Sequence, residues 1–184
     1  MYTRRGFLVS SAAVMAGPTL LHAGPSGSRT RVVIDSSSPE GDLFSQYFRV
    51  PTTAIDLDPL SVLTELSGEF ANHELDTIYG LTRGSNRFLI EQFAKPNGYR
   101  IIHAGEHEFG DGQIAHKLTG APRSMDDLVE DIARASANWP VEVARLLESK
   151  KLDHEAPTNN DRVVGADVPA GRVGQLCSWT LQRV

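Results

Sequence analysis

The stretch Arg31–Phe48, "RVVIDSSSPEGDLFSQYF", decides the fold. Val32 to Ile34 form a short β-branched run that ends at Asp35 and three serines. Ser38-Pro39-Glu40 then supplies an N-cap, a first-turn proline and a first-turn acid, so a helix is expected to start there. Leu43, Phe44, Tyr47 and Phe48 recur at helical spacing and predict its buried stripe. The same grammar returns twice. "TTAIDLDP" (52–59) reads as a strand ending near Asp56 and a helix capped by Asp58-Pro59, carrying Leu60, Leu63, Leu66 and Phe70. "DTIYGLTRGSNRFLIEQFAKPNG" (76–98) reads as a strand from Thr77 to Thr82, a Ser85 cap and a helix burying Phe88, Leu89 and Phe93. Pro96-Asn97-Gly98 stops that helix.

Three strand-helix units of this length predict an α/β fold, a three-layer sandwich with a mainly parallel mixed sheet joined by right-handed crossovers. "YRIIHAGEHEFGDGQIAHKLTG" (99–120) adds a β-hairpin in the C-terminal half, because Asp111-Gly112 is a strong signal for a two-residue turn. From Ser124 the chain reads as helical, with Pro140 dividing it into two helices or kinking it. "LDHEAPTNNDR" (152–162) reads as a polar connector, and "QLCSWTL" (175–181) as the final strand, at an edge or antiparallel. Residues 31–184 show no internal repeat and form one expected domain.

Ahead of this domain, Arg4 and Arg5 precede Phe7, Leu8 and an uncharged run of Ala, Ser, Val, Met and Leu. That is a basic region followed by an apolar one. Gly17 and Pro18 interrupt the run, and it falls short of the ~20 apolar residues a membrane helix needs. No permanent membrane anchor is therefore expected. Thr3-Arg4-Arg5-Gly6-Phe7-Leu8 resembles the twin-arginine export signal, with Val9 in place of the usual Lys. The resemblance implies a signal peptide over 1–23 cleaved after Ala23, a flexible linker over 24–30, passage through the twin-arginine translocase in a folded state, and a periplasmic destination.

Loss of residues 1–23, whose only charges are Arg4 and Arg5, takes the formal net charge from −5 to −7. So acidic a surface repels phosphate backbones and argues against nucleic-acid partners. Cys177 is the single cysteine. An internal disulfide is impossible, and in its predicted strand Cys177 reads as a small core residue, with Trp179 sharing its face.

Two groups of residues suggest sites. With Asp111 and Gly112 as the turn, His107 opposes His116 on one face of the hairpin and Glu106 opposes Lys117 on the other. Opposed imidazoles can converge on a metal, but zinc requires three or four protein ligands, and Asp35, His73 or His154 would have to complete the set. His103 lies four residues from His107, about 13 Å along a strand at ~3.3 Å per residue. Without a third ligand the pair reads as partly exposed cross-strand histidines that stabilise the hairpin.

The second group lies outside the carboxyl ends of the parallel strands, where open α/β sheets bind ligands. Asp35 and Ser36 end the first strand, and Arg83 and Ser85 follow the third. Arg83, Ser85 and the adjacent helix start can hold a carboxylate or phosphate, while Ser38, Asp58 and Ser85 equally suit ordinary helix caps. P-loop, G-x-G-x-x-G, H-E-x-x-H and G-x-S-x-G motifs are all missing, and Ser37 replaces the second acid of an Asp-x-Asp strand end. Two functions are compatible with this inventory: an exported small-ligand-binding protein or accessory to an exported redox enzyme, and a metal-assisted hydrolase using the histidine pair.

Overall fold

The computed structural model describes residues 29–56, 59–120, 131–132, 134–148, 158–162 and 173–184. Residues 1–23, expected to be a signal peptide, Asp58, the expected helix start at Ser124 and His154 lie outside them. The described strands are β1 (Thr30–Asp35), β2 (Thr52–Ile55), β3 (Thr77–Thr82), β4 (Tyr99–Gly110), β5 (Gln113–Gly120), β6 (Thr158–Arg162) and β7 (Gly174–Arg183). The α-helices are α1 (Pro39–Tyr47), α2 (Leu60–Ala71), α3 (Gly84–Ala94) and α4 (Trp139–Glu148). The strands form one sheet in the order β2-β1-β3-β7-β4-β5-β6.

The α/β class and the mixed sheet are as expected. Parallel pairing is confined to β2-β1-β3, and from β7 to β6 every neighbouring pair is antiparallel. The expected edge placement of the last strand is corrected: β7 runs between β3 and β4, antiparallel to both. It slots into the crossover from β3 through α3 to β4, two strands that run parallel to each other with one strand between them. Its buried run from Leu176 to Leu181 reflects cover on both faces. The edge on that side of the sheet is instead β6, in the segment expected to be a connector, which pairs with β5 from His116↔Arg162 to Gly120↔Thr158.

Helices cover both faces, giving three layers. On one face Val32, Ile34, Tyr79 and Leu81 of the sheet pack with Phe44 and Phe48 and with Trp139, Val143, Ala144 and Leu147 of α4. On the other, Val33, Ile78, Cys177, Trp179 and Leu181 pack with Leu63, Leu66 and Phe70 of α2 and Ile90 and Ala94 of α3. Strand alternation divides the residues of β1 and β7 between the two cores. Trp179 packs on the sheet as expected, and the close approach depends on Gly80, where a Cβ would fall within the indole ring.

Two helix faces differ from expectation. In α3 the buried positions are Asn86, Ile90 and Ala94, while Phe88 is 57% and Phe93 41% exposed. The helix begins at Gly84 with Arg83 as its N-cap residue, two residues earlier than a Ser85 cap requires, and its buried face is the row Asn86, Ile90 and Ala94 at four-residue spacing. In α2, Leu60 is 65% exposed because it occupies the first position, beyond the turns that cover the sheet. Pro140 is the second residue of α4, in its first turn, where its missing N–H costs nothing. A 3₁₀ turn over Ser136–Asn138 precedes it, with Ser136 at φ 48°.

Candidate functional site

The carboxyl ends of β1 and β3 lie at the topological switch point. From β1 the chain passes through α1 on one face to β2, then returns through α2 on the other face to β3. The crevice outside these strand ends is where such sheets receive ligands. Ser38 is the α1 N-cap residue with Pro39 in the first turn, as the sequence indicates, but its hydroxyl donates to Glu40 Oε2 at 2.7 Å instead of to a backbone amide. Neither α1 nor α3 has a side-chain cap hydrogen bond.

Asp35 and Arg83 are brought together at this crevice. Asp35 is buried, and its Oδ2 pairs with Arg83 Nε at 3.1 Å. Its Oδ1 accepts the Ser37 backbone amide at 3.1 Å and the Ser37 hydroxyl at 2.6 Å. Arg83 Nη2 also donates to Ser37 Oγ at 2.8 Å, while 51% of the arginine side chain stays exposed. Ser36 turns away, its amide and hydroxyl both donating to the Ile55 carbonyl. Ser85 is exposed in the first turn of α3 and does not cap it. Ser37, beside the residues singled out from sequence, completes the cluster. Its signal was its place two residues after an aspartate, the spacing of a local side-chain turn.

The hairpin has the predicted register without a slip: His107↔His116, Glu106↔Lys117 and Gly110↔Gln113. Asp111 at φ 53° and Gly112 at φ 74° give both turn residues the left-handed backbone of a type I′ turn. The expectation of partial exposure is corrected, since His107 and His116 are 0% and 1% exposed. They lie beneath Trp139, with ring centroids 4.3 Å and 5.1 Å from the indole. This cover comes from α4, which no local feature of the hairpin encodes.

His107 Nδ1 and His116 Nδ1 are 2.7 Å apart, and His107 Nε2 is 3.0 Å from Ser178 Oγ on β7. A 2.7 Å nitrogen separation is that of a hydrogen bond with one shared proton. Gly105 permits the arrangement, because a Cβ there would stand 2.5 Å from Ser178 Oγ and 2.8 Å from Leu118 Cδ2. Among the described residues no group of three or more His, Cys, Asp and Glu side chains is placed to hold a metal ion. Asp35 is engaged by Arg83, and His73 is exposed just beyond α2, which covers the opposite face.

His103 is also buried on this face, paired with Thr180 just after an irregularity between Ile101 and His103 in the β4–β7 register. Both its ring nitrogens, His116 Nε2 and Thr180 Oγ1 are buried without a hydrogen-bond partner. Burial pushes His103 and His116 down to about 4. It holds His107 well below its ordinary value, with His116 and then His103 adding to the effect. All three rings are neutral at pH 7, and the pair forms a buried, uncharged floor under α4. Cys177 faces the other core, where burial pushes its thiol up, as suits an inert core residue. No family model, characterised protein or solved structure matches the chain, so its functional reading rests on these two clusters.

Proposed function

We propose that this chain is an exported small-ligand-binding protein whose ligand carries a carboxylate or phosphate and docks at the crevice between β1 and β3. The observation that carries the reading is the Arg83 guanidinium, half exposed at the switch point and braced on its inner side by buried Asp35. Bracing fixes the guanidinium plane and leaves its outer edge to an incoming anion, the geometry in which arginine is most selective. The α3 amides that follow it add the positive end of a helix dipole. Export through the twin-arginine translocase to the periplasm rests on Arg4-Arg5 with Phe7-Leu8.

Titration of the chain from Gly24 onward with inorganic phosphate and with acetate, followed by amide NMR, tests the ligand reading. Saturable shifts confined to residues near Arg83 and the first turns of α1 and α3, lost in Arg83→Ala, are expected. Shifts that do not saturate, or that persist unchanged in Arg83→Ala, overturn it. The export reading is separate: replacing Arg4 and Arg5 with Lys should retain the precursor in the cytoplasm, and normal export of that variant defeats it.

A further inference from the structure

The buried histidines have a proton capacity that the crevice does not use. The neutral His107–His116 pair has two ring protons on four nitrogens, and one occupies the Nδ1···Nδ1 contact. A first added proton can be accepted, because each Nε2 then carries one and the shared proton stays in place. A second would set two N–H groups against each other across 2.7 Å, and the contact must break. The cover over this pair is a helix end, Trp139 of α4, preceded by a 3₁₀ turn whose Ser136 holds a left-handed backbone without being glycine.

We propose that the His107–His116 pair is an acid-operated latch, which holds the start of α4 on the sheet while the pair is neutral and releases Trp139 when it takes up protons.

Nothing among the described groups offsets the added charge. On β4, Glu106 and Glu108 alternate to the opposite face from His107, and on β5 Lys117 does so from His116. β7 offers Ser178 and Thr180 on the histidine face and Cys177 on the other. On α4, Glu142 pairs with Arg145, and Glu148 lies by Tyr47 of α1. Buried Glu40 of α1 is engaged by Ser38, and Tyr79 of β3 contributes a phenol. On β6, Arg162 occupies the register position opposite His116, and Asp161 the one opposite Lys117. His103, the nearest further titratable group on the same face, adds repulsion when it is charged.

The direction follows from linkage. The unfolded or released chain binds these protons below its ordinary value of 6.5, whereas docked His116 and His103 bind them only near 4. Stabilisation by the docked state is complete above 6.5 and drains away as pH falls from there toward 4.

The experiment follows the chain from Gly24 onward between about pH 8 and about pH 4. Near-UV circular dichroism reports Trp packing and far-UV circular dichroism the sheet. The expected result is loss of near-UV signal between 6.5 and 4 with the far-UV signal retained, and a shift of that loss to lower pH in His116→Gln, which keeps a hydrogen-bonding side chain and does not titrate. Simultaneous loss of both signals, no change over the range, or an identical transition in His116→Gln overturns the latch. If His116→Gln does not fold, the pH dependence of urea unfolding of the unaltered chain decides. Uptake of more than one proton between 6.5 and 4, with near-UV loss ahead of far-UV loss, supports the latch, and anything less rejects it.

Discussion

Trp179 lies flat over Gly80, its cross-strand partner on β3, and its Nε1 donates to Thr82 Oγ1 at 3.0 Å. The indole thus occupies the volume where a side chain at 80 would stand, and one hydrogen bond satisfies its only polar atom. Gly80→Ala should push the ring off the sheet and cost about 3 kcal/mol, the upper range for overpacking a core. Urea denaturation measures it. Adding Trp179→Leu should recover part of the loss, and strict additivity of the two changes would show that they do not compete for one space.

Asp35 and Arg83 are unequal partners, one buried and the other half exposed. Asp35→Ala removes the acceptor for Ser37 and for Arg83 and should cost about 1–3 kcal/mol. Arg83→Ala leaves Asp35 with both Ser37 hydrogen bonds and should cost roughly 1 kcal/mol or less. Equilibrium unfolding of the two variants checks the order, and a larger cost for Arg83→Ala would contradict it.

Gly112→Ala tests the hairpin turn. With φ at 74° the alanine is strained, and a loss of about 1–2 kcal/mol is expected. Ten further residue pairs along β4 and β7 hold β4 in place independently of the turn. Cross-strand NMR contacts between His107 and His116 should therefore persist, and a register slip in this variant would show that the turn alone sets the pairing.

Cys177 should resist a thiol reagent such as DTNB in the native state, because it is buried in the inner strand and its thiol is pushed up by burial. Labelling should follow the unfolding rate and accelerate with urea. Rapid stoichiometric labelling in buffer would place β7 at an accessible edge.

Local chemistry carried much of this architecture. Asp111-Gly112 dictated a turn with two left-handed residues and with it every pairing of the hairpin, since a slip of one residue would turn all side chains over. Ser38-Pro39 likewise determined where α1 begins, and β-branched runs followed by polar and Pro- or Gly-containing turns determined β1 to β3. Tertiary structure decided the rest. "TNNDR" has neither apolar alternation nor β-branched content beyond Thr158, so only a waiting neighbour, β5, makes it a strand. In "QLCSWTL" Ser178 and Thr180 put polar side chains on one face, yet Leu176 to Leu181 are all buried because Ser178 meets His107 and α4 covers that face. The histidine pair shows the division most clearly. Its register is a property of ten adjacent residues, from His107 to His116, whereas its burial, its neutrality and its bond to Ser178 come from elements dozens of residues away, whose arrival no local pattern records.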